Sequence, residues 1–284
     1  MKADVATAHA PAKLNLFLHI LGRRPDGYHE LQTVFQLIDL HDDVRVESTG
    51  DGRIVRDPPP SSDVLAGLQE DQDLCVRAAR LMQSVLREQG RPVPGARVHV
   101  TKRIPAGGGL GGGSSDAATT LCLLNRLWNV GLDHAALCAL GLQLGADVPF
   151  FVLGRNAWGE GRGERLTPLA LPSRWFVVVN PGVAVSTAAV FADAELTRDT
   201  APLTMRDLDT ARLRNDCEPV VRRRHPEVAA ALDELGRHAE ARLTGTGGCG
   251  FASFADEASA RRAAGALEPR WQVYAVAGLP ASDC

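Results

Sequence analysis

The chain of 284 residues lacks a CxxC pair, a surplus of basic charge, an internal repeat and any long unbroken apolar run. Its six cysteines, Cys75, Cys122, Cys138, Cys217, Cys249 and Cys284, are scattered and have no histidine at zinc spacing. They are expected to be reduced thiols of a cytoplasmic protein. Lysine and arginine total 31 against 34 acidic residues, a net charge of −3, so no nucleic-acid partner is expected. The most apolar stretch, residues 135–154, is interrupted by Gln143, Asp147 and Pro149. Such interruptions argue against a membrane span. Lys2 is followed by Asp4, with no apolar core before Pro11, which does not read as a secretion signal. What remains, 45% hydrophobic and 23% charged residues, is the composition of a globular protein with one large or two medium cores.

Glycine is what the chain has in one place. Residues 107–113 hold six glycines, interrupted only by Leu110, within the run KRIPAGGGLGGGSSDAATTL. Each glycine costs conformational entropy on folding, so a cluster marks backbone that must come very close to something. A strand-like segment, 96–101, leads in, and a helix-like segment, 114–127, leads out. Consecutive N–H groups ahead of a helix N-terminus make an anion cradle. Ser114 and Ser115 are natural N-caps and phosphate donors. The loop is therefore expected to hold nucleotide phosphates. It lacks the GK[ST] ending of a Walker loop. Gly107, Gly109 and Gly112 match GxGxxG, but the nearest acidic residue at dinucleotide spacing, Asp133, falls between two helix-like segments.

The rest reads as mixed strand and helix. Leu14, Leu16, Leu18 and Ile20 alternate with Lys13, Asn15, Phe17 and His19, which predicts a strand with one buried face. Residues 44–47 look like its partner, 57–62 an irregular loop, and 73–89 an amphipathic helix. A helix is expected over 133–144, with a domain boundary near 154–163. The division is 1–155, binding nucleotide, and 156–284. The second part shows a strand at 175–179, helices near 187–194, 217–225 and 227–238, and a closing strand–helix–strand series over 251–277. Further candidates are Tyr28 and His29, leaving a Pro25–Asp26–Gly27 turn, and Asp147, a lone carboxylate in LGADVPFFV that could serve as a general base. A second glycine-rich loop, RLTGTGGCG, has more glycine and threonine than a hairpin needs.

Taken in order, PAKLNLFL, the glycine loop and LTGTGGCG resemble the three signature motifs of the GHMP kinases. The longer runs PAKLNLFLHILGRRPDGYHELQTVFQ and LGADVPFF resemble the branch of that superfamily whose substrate is 4-diphosphocytidyl-2-C-methyl-D-erythritol. The resemblance covers about residues 11–254. It implies an α/β fold of the α+β type, in two domains with the active site in the cleft between them. It implies ATP-dependent phosphorylation of the substrate's 2-hydroxyl with Mg²⁺, in the non-mevalonate route to isoprenoids. Lys13 and Asp147 stand at the catalytic positions. Pro105, Gly107, Gly108, Gly109, Gly111, Gly112, Gly113, Ser114 and Ser115 would hold the ATP phosphates, and Leu74 and Lys102 would line the purine side. Asn15, Tyr28, His29, Thr187, Phe191, Gly245 and Thr246 would contact the substrate, with cytosine between Tyr28 and Phe191. No Mg²⁺ ligand is assigned; Asp116 is near the loop, where relatives can carry asparagine. Asp73 stands where asparagine is common, and Ala188 where proline is. The expected protein is a cytoplasmic monomer or homodimer acting on a small molecule, not on nucleic acid or membrane. Two alternatives stay open: another small-molecule kinase of the superfamily, and an RNA-binding module, since the N-terminal half of these kinases shares its fold with a ribosomal protein domain.

Overall fold

The computed structural model describes residues 4–57, 71–208 and 213–282. Residues 58–62 of the expected irregular loop, and Cys284, lie outside them.

The chain opens with two long antiparallel strands, β1 (Val5–Arg23) and β2 (His29–Thr49), joined by the expected Pro25–Asp26–Gly27 turn. A short β3 (Ile54–Arg56) follows, then α1 (Leu74–Glu88). Asp73 starts α1 by accepting from the backbone N–H of Cys75 and Val76, as an N-cap should. Cys75, Ala78, Ala79, Met82 and Leu86 give α1 one buried face. Next come β4 (Gly95–Thr101), α2 (Gly112–Leu127), α3 (His134–Leu144) and α4 (Val148–Leu153). Then β5 (Ala157–Gly161) and β6 (Arg165–Pro168) occupy the stretch expected to divide the domains. β5 pairs with β2, so the first sheet takes strands from beyond residue 155. The second half supplies β7 (Trp175–Asn180), α5 (Thr187–Phe191), α6 (Glu218–Arg224), α7 (Pro226–Leu235), β8 (Ala241–Leu243), β9 (Gly250–Phe254), α8 (Glu257–Leu267) and β10 (Gln272–Leu279).

The strands run in the order β3-β4-β2-β10-β7-β9-β8, with β1 and β5 also on β2. β10 joins the halves through Gly278–Ile38 and Leu279–Leu37. One core lies between the first sheet and α1 to α4. A second crosses between the halves, with Ala12, Leu14 and Ile38 meeting Phe176, Val178 and Phe251. This corrects the expectation of a one-sided β1. Lys13, Asn15 and His19 are as buried as Leu14 and Phe17, because the second half covers what a lone sheet would leave open. Register shifts between Pro11 and Ala12 and between Asn15 and Leu18 re-aim the side chains on either side of Lys13.

Cys75, Cys138, Cys217 and Cys249 are free thiols. Cys122 is disulfide-bonded, against the expectation of reduced cysteines throughout; spacing alone does not say which thiols meet. Among the described residues no helix is long and apolar enough to cross a membrane.

Candidate active site

The two glycine loops meet. Gly248 N–H donates to Gly107 O at 3.1 Å, and Cys249 N–H to Gly108 O at 3.1 Å. A Cβ on Gly247 would fall 1.9 Å from Gly109 N, and one on Gly109 2.1 Å from Thr244 O. Much of the glycine clustering therefore serves backbone docking of one loop on the other. Gly107 and Gly108 face Ala184 and Cys249 of the second half, and Pro105 lines a separate cavity with Tyr274. These three are not among the residues that line the cavity around Lys13. Gly109, Gly111 and Ser114 line a cavity of about 370 Å³ together with Lys13, Asn15, Asp147, Gly245 and Thr246.

Lys13 sits at the floor of that cavity. Its backbone N–H donates to Leu110 O at 3.0 Å, tying β1 to the loop. Its Nζ donates to Asn15 Oδ1 at 2.5 Å and lies 3.5 Å from Asp147 Oδ2. Asn15 is held in turn: its Nδ2 donates to Thr33 Oγ1 at 2.9 Å, and Thr33 Oγ1 donates to Phe17 O. Thr244 Oγ1 accepts from Asn15 N–H at 3.0 Å. Asp147 occupies the N-cap position of α4 but caps nothing, and its side chain is 33% exposed. The carboxylate lines the cavity with Lys13 as its ion-pair partner. Asn215, buried beside α6, donates to Gly245 O at 2.7 Å and Leu243 O at 2.9 Å, fixing the second loop under the first. Thr33 and Asn215 escaped the sequence reading, and Thr244 entered it only as part of the glycine–threonine excess of the second loop. Thr33 and Thr244 lie inside quoted motifs, but nothing local marks Asn215.

Helix α2 begins at Gly112 with Gly111 as N-cap, φ +75°, and no side-chain cap. This corrects the expected capping by Ser114 and Ser115, which lie within the first turn. The loop enters the helix through a left-handed residue, so the cap position falls earlier. Uncapped N–H groups remain for an anion. Leu74 is near: its Cδ1 lies 3.8 Å from where a Gly113 Cβ would stand. Lys102 is committed elsewhere. Its Nζ donates to Asp42 and, at 2.7 Å, to Asp116. Burial works against its charge, but Asp116 and Asp42 outweigh burial and raise its pKa. Burial also pushes Asp116 up to about 7, with Lys102 opposing and Asp42 adding to the rise. Asp73 is spent on the α1 cap and on Arg56 at 3.0 Å.

A second cavity, about 590 Å³, adjoins the first and is lined by Tyr28, His29, Thr187, Ala188 and Phe191. His29 stacks on Phe191 with centroids 4.9 Å apart, so it covers one face of that ring. Tyr28 is 56% exposed. Burial first, then Arg198 and Arg23, lower the His29 pKa. Arg198 Nε donates to His29 Nε2 at 3.1 Å; a neutral ring accepting there carries its proton on Nδ1. Thr187 and Thr246 hydroxyls bond at 2.6 Å between the cavities.

Elsewhere, His9, His41 and Asp43 bring three metal-type ligand atoms within 4.8 Å of one another. Arg103 already donates to His41 at 3.1 Å and Asp43 at 2.7 Å, so a guanidinium fills that place.

Comparisons with known proteins follow the same lines. The GHMP kinases N terminal domain profile matches residues 73–155, and the GHMP kinases C terminal profile 195–271. The chain is 54% identical to 4-diphosphocytidyl-2-C-methyl-D-erythritol kinase of Halorhodospira halophila, over 93% of this chain and 90% of that one. It is 55% identical to the protein of the same name from Alkalilimnicola ehrlichii, over 96% and 91%. A crystal structure of 4-(cytidine 5'-diphospho)-2C-methyl-D-erythritol kinase superposes with TM-score 0.80 at 37% identity, covering 96% and 99%. Homoserine kinase from Cytophaga hutchinsonii, TM-score 0.73 at 13% identity over 99% and 96%, shares the fold alone.

Proposed function

The chain belongs to the GHMP kinase family, and from that premise we propose that it moves the γ-phosphoryl group of ATP to the 2-hydroxyl of 4-diphosphocytidyl-2-C-methyl-D-erythritol. The observation that carries the division of labour is the Lys13–Asp147 pair, 3.5 Å apart on the floor of a cavity walled by the glycine loop. Phosphoryl transfer needs positioning, charge stabilisation and a group to receive the hydroxyl proton. Asp147 receives or orients that proton. Lys13, held by Asn15, presents its remaining N–H to the phosphoryl oxygens. The open first turn of α2, with Ser114, takes the ATP phosphates. The cytosine ring belongs in the cavity of Tyr28, His29 and Phe191, with His29 Nδ1–H toward its polar edge. Asn15, Gly245, Thr246 and Thr187 border the methylerythritol hydroxyls.

Mg²⁺ fits the first turn of α2. Ser115 Oγ and Asp116 Oδ1 are buried there without a hydrogen-bond partner among the described residues. Such hard oxygens are the donors Mg²⁺ takes. They would hold the ion, which would neutralise phosphate charge. We place the enzyme in the cytoplasm as a monomer or homodimer, with no nucleic-acid role.

The test is ADP release by the purified protein with ATP, Mg²⁺ and a panel of alcohols. Turnover with the cytidyl substrate and none with homoserine or mevalonate is expected. Equal turnover with mevalonate would overturn the substrate assignment.

A further inference from the structure

The turn between β5 and β6 is shaped around one arginine. Gly161 and Gly163 flank Arg162 with φ of +74° and +104°, conformations that L side chains rarely adopt. Arg162 N–H donates to Glu164 Oε2 at 2.5 Å, closing the turn. A Cβ on Gly161 would lie 2.8 Å from that carboxylate. The backbone is thus bent to present the Arg162 side chain, which lies with its guanidinium carbon 4.7 Å from the Tyr28 ring centroid.

Two neighbouring arginines are engaged with carboxylates, Arg24 with Asp26 and Glu30, and Arg165 with Glu30; Arg198 is bonded to His29 and backbone carbonyls, and Arg23, on the same cavity, is exposed. Among the described residues, the Arg162 guanidinium has the Tyr28 ring and no hydrogen bond or ion pair. Yet the residue is half-buried. It also has a particular place. Five residues line both the ring cavity and the transfer cavity, namely Leu31, Ala146, Arg162, Thr187 and Phe191, and Arg162 is the charged one among them. A cationic fork with no carboxylate in hydrogen-bond contact among the described residues, with Asp26 within electrostatic reach, half-withdrawn from water and set between two cavities, has the chemistry of a phosphate clamp.

We infer that Arg162 is a binding residue for the diphosphate that joins the cytidine and methylerythritol ends of the substrate, an inference that rests on the reading given under Proposed function. With the base in one cavity and the reacting hydroxyl in the other, the diphosphate passes the junction. Arg162 then binds two anionic oxygens while its flat face keeps Tyr28 in place against the base. It contributes to substrate affinity and not to the chemical step.

Calorimetry with CDP and with cytidine, on the wild type, Arg162→Met and Arg162→Lys, tests this. The wild type is expected to bind CDP more tightly than cytidine. Arg162→Met is expected to lose roughly 10- to 100-fold in CDP affinity, the range for hydrogen bonds to a charged group. Its cytidine affinity should move by less than about 3-fold, the scale of an exposed cation–π contact. Arg162→Lys should fall between, having the charge without the fork. In turnover, Arg162→Met should raise KM for the cytidyl substrate with kcat nearly unchanged. Equal losses for CDP and cytidine would reduce Arg162 to packing on Tyr28 and overturn the inference. So would an unchanged CDP affinity, leaving the kinase reading intact. A wild type that binds neither ligand would instead overturn the reading itself, and the inference with it.

Discussion

Two lysines, Lys13 buried and Lys102 half-buried, reach consecutive glycines of the same loop and are in contrasting states. Lys13 Cε lies 3.2 Å from where a Gly111 Cβ would stand, and Lys102 Nζ 3.3 Å from the corresponding point of Gly112. With Lys2 they are all the lysines the chain has. Lys102 faces two carboxylates, Asp42 and Asp116, and Asp42 is itself fully buried and accepts from the backbone N–H of Ile104 at 2.9 Å. Lys13 faces one carboxamide at 2.5 Å and one carboxylate at 3.5 Å. The difference is one of partners. A lysine between two carboxylates has its charge matched within the fold and acts as a post under the loop. A lysine with one partly exposed carboxylate keeps attraction to spare for an incoming phosphate. The expected role of Lys102 in lining the purine side is compatible only with its stem, since the ammonium is already bonded.

The contrast can be broken from either side, and the largest effects are expected at Lys13 and Asp147. Asp147→Asn should cost about 10²–10⁴-fold in kcat, the usual loss of a general base. Lys13→Met should cost about 10²–10³-fold, the loss of one transition-state donor. Both should keep melting temperatures closer to wild type than any change at Lys102. A near-normal kcat in either variant would make that residue structural.

Lys102→Met should act the other way. It leaves Asp42 and Asp116 buried without a cation, and breaking a buried pair typically costs about 3–5 kcal/mol. Denaturant unfolding should show that loss, and adding Asp116→Asn should recover part of it. A Lys102→Met protein as stable as wild type but unable to bind ATP would reverse the two assignments.

The loop between the lysines gives a finer test. Gly111→Val demands φ near +75° of a branched residue and brings its Cβ 2.7 Å from the Phe151 ring, so it should destabilise by a few kcal/mol. Gly113→Ala meets nothing nearer than Leu74 Cδ1 at 3.8 Å. That variant should fold normally and report on nucleotide alone, through calorimetry with a non-hydrolysable ATP analogue. If Gly113→Ala unfolds the protein, the first turn is a packing element and not an open cradle.

The smallest effect expected is a pH dependence of stability. His19 is buried with neither ring nitrogen bonded among the described residues. Burial, helped by Arg214 and opposed by Asp216, lowers its pKa. The unfolded chain then binds the proton more readily, so stability is full above about pH 6.5 and falls as pH drops below it. The raised Asp116 pKa acts with the opposite sign, lessening stability as pH rises toward 7. Comparing melting temperatures of wild type and His19→Gln between pH 7.5 and 5.5 isolates the histidine. A slope unaltered by the substitution would show that His19 does not titrate with folding.

Much of this was legible in the residues. The helices expected from residues 73 and 133, the strand expected over 96–101 and the glycine loop ahead of a helix follow from signals within a few residues. So does the order of motifs that carried the family resemblance. The misreadings share one cause. Ser114 and Ser115 have the right chemistry for caps, but the left-handed turn at Gly111 starts the helix before them. Residues 107–109 carry glycine largely because a second loop, over 130 positions away, packs against them. The one-sided pattern of residues 14–20 hid a strand buried on both faces: β7 and β9 pack on Ala12 and Leu14, and the distant second glycine loop reaches Lys13 and Asn15.

The sequence by itself determined most strands and helices and the two glycine-rich loops, since capping, periodicity and glycine conformation act over a few bonds; Lys13 and Asp147 are singled out as a pair by the family resemblance and not by local signals. Only the tertiary structure decided which lysine faces one carboxylate and which faces two. Asp42 lies sixty positions from Lys102 and Asp147 far from Lys13 along the chain. A buried ammonium takes its state from whichever carboxylates the completed fold sets within a few ångströms.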